Sequence, residues 1–465
     1  MKRLVLLLLL AFVVPALAQT ALPATRAGQA FEAWLSALNA ADAARMKEVL
    51  AQYHMPVPPD AFMGFARQTG GFTLLKVEES SDNALTAIVA ERAGDTIVRA
   101  SLTLIVDAGG QVTKGALGLR AFPREGELAI PRLTEAAALK ALEDRAAAAE
   151  KDDKFSGVYL IARNGKVLAA KAFGWEDREA KRKATLQTKF RMGSMNKMFT
   201  AVATLQLVEA KKLSLSGTVG QYIPDYPNRE VAEKVTIGHL LAHTGGTGDF
   251  FGPQFDANRL TLKTHGDYMV LFGARAPQFA PGSRFAYSNY GYQLLGNIIE
   301  KVSGMTYYGY VARNIFAPAG MTGTASQPEE EAVANRAKAY MQKEGWVPAA
   351  DTLPYRGTSA GGGYTTAQDL LRFARALQSE KLLPGRLVAD AATPHNSAGG
   401  YGYGFSLGGK GLLQWYGHKG GAPGQNGALQ VYPALGYVII GLSNYDPPAA
   451  TAMTDFFTNR MPATR

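Results

Sequence analysis

Ser194 is followed three residues later by Lys197, at the head of a run whose apolar residues recur at helical spacing. Residues three apart on a helix share a face, so a hydroxyl and an amine would sit one turn apart. An isolated hydroxyl is a weak nucleophile near neutral pH and needs a base within hydrogen-bond reach. Lys197 supplies that base if its amine is neutral, and burial and the positive end of a helix both disfavour the charged form. The pair is a weak signal by itself. With 17 serines and 23 lysines in 465 residues, about one such match is expected by chance. The bland alternative is a solvated lysine behind an N-cap serine.

Other spacings compete with it or complete it. Tyr287-Ser288-Asn289 places a phenol, able to relay a proton, two residues from an amide. Tyr226-Pro227-Asn228 has the same spacing but lies in a proline-flanked stretch that reads as a surface turn. Gly357-Thr358-Ser359-Ala360-Gly361 matches a nucleophile elbow, with His395 and His418 downstream. An elbow needs a buried strand before its serine, and Pro354 breaks the segment that would be that strand. His239 and His243 have the spacing of a zinc-binding helix, but Leu240 stands where such a site needs glutamate. No metal is expected. Asp249 and Asp267 have no spacing that argues for a site.

The elements that must position these groups fall into two blocks. Phe31, Trp34, Leu35, Leu38, Met46 and Leu50 recur at helical spacing across residues 28–52. Short alternating runs follow from residue 72 to residue 122, punctuated by Asn83, Gly94-Asp95 and Gly109-Gly110. A helix followed by a meander predicts a small α+β domain over 19–132, similar to NTF2-like cone folds but without a motif that makes the likeness specific. Residues 123–131 read as a linker. An Ala-rich helix is expected from Leu133 to Lys151, then a hairpin whose strands flank Asn164-Gly165, the pair that favours a two-residue turn. Strands at 428–432 and 437–442 and a helix near 449–460 close the chain. N-terminal hairpin and C-terminal strands are expected to share one antiparallel sheet within a domain spanning 133–465.

Composition bounds the class. Hydrophobic residues at 47% and charged residues at 19% describe a globular chain. The net charge of +10 is a matter of solubility, because no helix is lined with Lys and Arg and no basic stripe carries stacking aromatics; nucleic acid is not an expected partner. Residues 1–18 read as a secretory signal. Lys2 and Arg3 form the positive end, Leu4–Val14 is too short to span a bilayer as a helix, and Ala16 and Ala18 suit cleavage. A periplasmic or secreted protein with no stable membrane anchor is expected. With no cysteine, the fold must be held by core burial and not by disulfides.

Five ordered segments now carry a family resemblance: Phe190-Arg-Met-Gly-Ser-Met-Asn-Lys197, His239-Leu-Leu-Ala-His-Thr-Gly-Gly246, Pro281 to Tyr292, Gly361 to Leu370, and Gly417-His-Lys-Gly-Gly-Ala-Pro-Gly424. From about Thr134 to Arg465 the chain resembles the serine β-lactamase and penicillin-binding-protein superfamily, in its class-C-like branch, which also holds esterases and D-stereospecific peptidases. The resemblance implies an antiparallel sheet flanked by helices and an acyl-enzyme on Ser194, with Lys197 as base and no cofactor. It gives Tyr287 the proton shuttle, and Asn289 either a substrate amide or the orientation of Lys197. It puts His418-Lys419-Gly420-Gly421 on a strand lining the cleft, with the N–H groups of Ser194 and Gly421 as oxyanion hole. His418 stands where β-lactamases and transpeptidases usually have lysine, which favours an esterase or amidase on a small-molecule or peptide substrate. No Glu-x-x-Leu-Asn follows Ser194, so deacylation is expected to use Tyr287. Ester, D-amino-acid peptide and β-lactam all fit, in that order, with the loops 248–275 and 399–411 setting the choice. A D-alanyl-D-alanine peptidase, a β-lactamase proper and a slowly deacylating penicillin sensor are the alternatives.

Overall fold

A computed structural model of the protein describes residues 21–55, 62–63, 65–66, 69–92, 99–113, 118–122, 129–343 and 345–464. The expected signal at 1–18, the turn at 94–95 and residues 123–128 of the expected linker lie outside the described residues. The chain separates into two compact units between Ile130 and Pro131.

In the first unit the helical stretch is two helices, α1 (Arg26–Ala40) and α2 (Ala43–Gln52). Ala41 takes a left-handed conformation with φ of 50°, and the Asp42 carboxylate accepts the N–H groups of Ala44 and Arg45 to start α2. Periodicity alone ran through this break because no Gly or Pro marks it. Strands β1 (Phe72–Ser80), β2 (Ala84–Glu91), β3 (Arg99–Ile105) and β4 (Gly118–Phe122) form an antiparallel meander. Phe31, Trp34 and Leu38 of α1 share a core with Phe72, Leu85 and Leu102 of the sheet.

The second unit is built on a six-stranded antiparallel sheet. Its strands are β5 (Gly157–Arg163), β6 (Lys166–Phe173), β7 (Ser406–Gly408), β8 (Trp415–Ala422), β9 (Gln425–Tyr432) and β10 (Tyr437–Ser443), in the spatial order β7-β8-β9-β10-β5-β6. Asn164 and Gly165 both have positive φ, 49° and 77°, and close the β5–β6 hairpin as a tight turn requires. Alternation sorts the side chains onto two cores. Tyr159, Ile161, Tyr437 and Ile439 face α3 (Glu135–Lys151) and the C-terminal helix Ala449–Arg460, with Ala138, Leu142 and Phe457. Val158, Leu160, Val438, Ile440 and Leu442 belong to the larger core on the other face.

That larger core holds the helix carrying Lys197. A 3₁₀ turn, Gly193–Asn196, leads into α4 (Lys197–Glu209), in which Met198, Phe199, Ala201, Val202, Ala203 and Leu205 are all buried. A helix apolar all round sits inside its fold, and its first residue goes in with it. Beside it lies α5 (Asn289–Ser303), capped by the Ser288 hydroxyl accepting the Gly291 N–H. The stretch is an exposed turn at Pro224-Asp225, as expected, but the Tyr226 ring is buried, with its hydroxyl 3.1 Å from that of Tyr290 on α5.

Candidate active site

Lys197 has no exposed surface. Its Nζ lies 2.7 Å from Asn289 Oδ1, in contact with the carbonyl oxygen of Ala360, and 3.4 Å from Ser194 Oγ. Asn289 Oδ1 and Ala360 O are pure acceptors. A neutral amine has two N–H groups and one lone pair, so two acceptors take both hydrogens and the lone pair is left for the Ser194 hydroxyl. Burial pushes the Lys197 ammonium down to about 7, against a smaller opposing pull from the Asp249 carboxylate.

The lysine is held from three sides. Asn196, Thr200 and Lys197, on the turn and first helical turn, bind the successive carbonyls of Thr358, Ser359 and Ala360: Asn196 Nδ2 to Thr358 O at 2.5 Å, Thr200 Oγ1 to Ser359 O at 2.7 Å, and Lys197 to Ala360 O. The elbow-like sequence is therefore a main-chain clamp on the helix. Ser359 itself is fully buried, with Oγ 3.4 Å from Gln293 Oε1. His395 lies elsewhere, stacked on Tyr403 at 3.7 Å.

Tyr287 has its ring centroid 4.7 Å from Lys197 Nζ, with Ser194 beside its phenol. The residue keeps 38% of its surface exposed, and desolvation by the surrounding protein raises its pKa above the ordinary phenol value, with Ser194 opposing. His243, absent from the sequence-based set, brackets this tyrosine. Its main-chain oxygen accepts the Ala286 N–H at 2.9 Å and its Nδ1 accepts the Ser288 N–H at 3.0 Å, while its ring packs on Tyr287 at 4.2 Å. Burial holds His243 well below the usual histidine range. His239 instead belongs to the capping box of the short helix Ile237–Leu241. Among the described residues, no group of three or more His, Cys, Asp or Glu is placed to hold a metal ion.

Strand β8 supplies the opposite wall. Gly420 passes so close to the serine turn that a side chain would not fit, and a side chain at Gly421 would run into Pro447. A Cβ at Gly420 would lie 2.0 Å from Met192 O, and one at Gly193, where φ is +51°, would lie 3.0 Å from Gly421 N. A Cβ at Gly361 would lie 3.3 Å from Gly193 O and 3.5 Å from Ser194 N, so glycines flank the serine turn on both sides. His418 is buried, with Nδ1 2.5 Å from Lys419 O and Nε2 2.9 Å from the Tyr401 hydroxyl. A carbonyl only accepts, so Nδ1 carries the hydrogen and Nε2 accepts from Tyr401. Burial first, then the nearby Lys197, pushes His418 down to about 3, leaving it neutral. Lys419 points to the other sheet face, as alternation requires, with Nζ 2.9 Å from both carboxylate oxygens of Asp455.

Asp249 is the other residue that spacing missed. Its Oδ2 accepts the Asn289 Nδ2–H at 2.8 Å. That bond fixes the amide so that Oδ1 faces Lys197. Asp249 and Asn289 are 40 positions apart and meet only through the fold, which is why no local pattern announced the pair.

A family model described as "Beta-lactamase" matches residues 141–459. The chain belongs to that family and is a serine hydrolase of the β-lactamase and penicillin-binding-protein superfamily. It is similar to "Penicillin-binding protein 4*" of Bacillus subtilis, at 29% identity over 318 residues that cover 63% of this chain and 68% of the relative. A solved penicillin-binding protein from Bacillus halodurans superposes with a TM-score of 0.61 at 31% identity, covering 66% of this chain and 97% of its own. A D-stereospecific amidohydrolase from Streptomyces sp. superposes with a TM-score of 0.58 at 26% identity, covering 68% of this chain and 96% of its own.

Proposed function

We propose that this protein hydrolyses esters or amides through an acyl-enzyme on Ser194. The observation that carries the reading is the Lys197 amine, buried, 3.4 Å from the serine hydroxyl and bonded to two acceptors that would leave a neutral amine's lone pair for it. Lys197 takes the Ser194 proton as Oγ attacks the carbonyl carbon. The resulting oxyanion is stabilised by the N–H groups of Ser194 and Gly421, flanked by Gly193 and Gly420, where a Cβ would crowd the main chain. Collapse breaks the bond to the leaving alcohol or amine, which takes a proton relayed through Tyr287. Water then attacks the acyl-enzyme carbonyl and passes one proton by way of Tyr287 to Lys197; the C–Oγ bond breaks, Ser194 Oγ takes that proton back from Lys197, and the acid is released. Asn289 orients the lysine, and His418 shapes the pocket wall as a neutral ring.

The substrate reading favours esters and amides over β-lactams, because His418 is uncharged where a substrate carboxylate would want a cation. The similarity to penicillin-binding proteins and to a D-stereospecific amidohydrolase keeps D-amino-acid amides within the class. Secretion after removal of residues 1–18 belongs to the same proposal; the mass of the mature chain tests it. Intact-mass spectrometry tests the chemistry: a fluorophosphonate should add once to wild type and not to Ser194→Ala, and an activated ester should turn over continuously. A single burst without turnover would mean a sensor, and labelling of Ser194→Ala would end the proposal.

A further inference from the structure

Asp249 is an exposed carboxylate beside the reacting groups. Its Oδ1 accepts the N–H groups of Phe250 at 2.7 Å and Phe251 at 3.2 Å, and its Oδ2 accepts from Asn289. Three donors hold the group rigid, and a carboxylate has about four acceptor sites, so one is left for an incoming donor. Only the Asn289 side chain separates this anion from Lys197.

The basic groups nearby have the following partners. Lys419 is spent on Asp455 behind the sheet. Both ring nitrogens of His418 are occupied. The Arg275 guanidinium lies over Tyr290 at 4.9 Å, with Nη1 on the main-chain oxygen of Asp249 at 2.6 Å and Nε on Phe272 O at 3.1 Å. Lys197 is buried, with Asn289 and Ala360 taking its hydrogens. Of the groups that touch Lys197 directly or through Asn289, the one whose charge is exposed to a bound substrate is the Asp249 carboxylate.

We propose that Asp249 is a specificity-determining residue that selects acyl donors carrying a cationic, ammonium-type group and disfavours those carrying a carboxylate. The inference rests on the acyl-enzyme reading of Ser194 and names the substrate class within it.

Three p-nitrophenyl esters of similar length test it: pentanoate, ω-trimethylammoniopentanoate and the adipate half-ester. Their charges are fixed near neutral pH. Wild type should show kcat/KM for the cationic ester roughly 3- to 10-fold above the neutral one and the anionic ester below it, the range expected for one partly solvated charge pair. Asp249→Asn should bring the cationic-to-neutral ratio to about one, Asp249→Glu should keep it above one, and added salt should erode it in wild type. Reading the ratio cancels any rate change common to all esters, so a merely structural role would leave it unmoved. A wild-type ratio of one or less, insensitive to salt, overturns the inference while Ser194-dependent turnover of pentanoate stands. Equal turnover of all three esters by Ser194→Ala overturns the acyl-enzyme reading as well.

Discussion

The lysine beside Ser194 is a base because of where its hydrogens go. Asn289 Oδ1 and Ala360 O accept them, and burial weakens its hold on a third proton. Activity should therefore rise with pH through about 7, the value to which Lys197 is pushed, since the productive form is the deprotonated one. The Asp249 carboxylate opposes that push by favouring the ammonium. Asp249→Asn removes the opposition, so the acidic limb of kcat/KM for a neutral ester should move to lower pH. A pH–rate profile of both proteins checks this, and a limb that stays or moves up would show that Asp249 does not act on Lys197. At this scale Ser194, Lys197, Tyr287, Asn289 and the His418–Gly421 run were legible because they sit in short local patterns. Asp249 and His243 were not, since each acts on a partner 40 or more positions away.

Elements hold these residues through the main chain more than through side chains. The carbonyls of Thr358, Ser359 and Ala360 clamp the serine turn and α4, and this segment read as a rival nucleophile only because its one-letter pattern is that of an elbow. Its conformation is set by the groups it binds, which the pattern does not encode. Ser359→Ala should therefore keep ester hydrolysis within about threefold of wild type, with a stability loss of about 1 kcal/mol from its single long hydrogen bond; denaturant melts and initial rates measure both. Gly420 is the opposite case. A Cβ there would lie 2.0 Å from Met192 O, main chain against main chain, so β8 must move away from the serine turn. Gly420→Ala should lower kcat by roughly 10²-fold or more, the loss seen when an oxyanion donor is removed. Turnover near the wild-type rate would show that the strand is not aligned with the oxyanion.

Among the described residues, the buried apolar side chains of one core come from Ala27 to Val112 and those of the other two from Ala138 onward. The second block was legible because it is a hairpin with an Asn-Gly turn and strands apolar on both faces, while the first hid its helix break at Ala41, where no turn residue stands. Every group assigned to the chemistry, from Ser194 to Gly421, lies within the unit Pro131–Arg465. That unit has its own sheet, covered on both faces, and its size is ample for an independent core. Expressed from Pro131, it should fold, unfold in one cooperative transition, and react once with a fluorophosphonate at Ser194. Calorimetry and intact mass provide the readings. A fragment that melts without cooperativity, or that stays unlabelled while the full chain is labelled, would mean that residues before Pro131 are needed to complete either the core or the cleft.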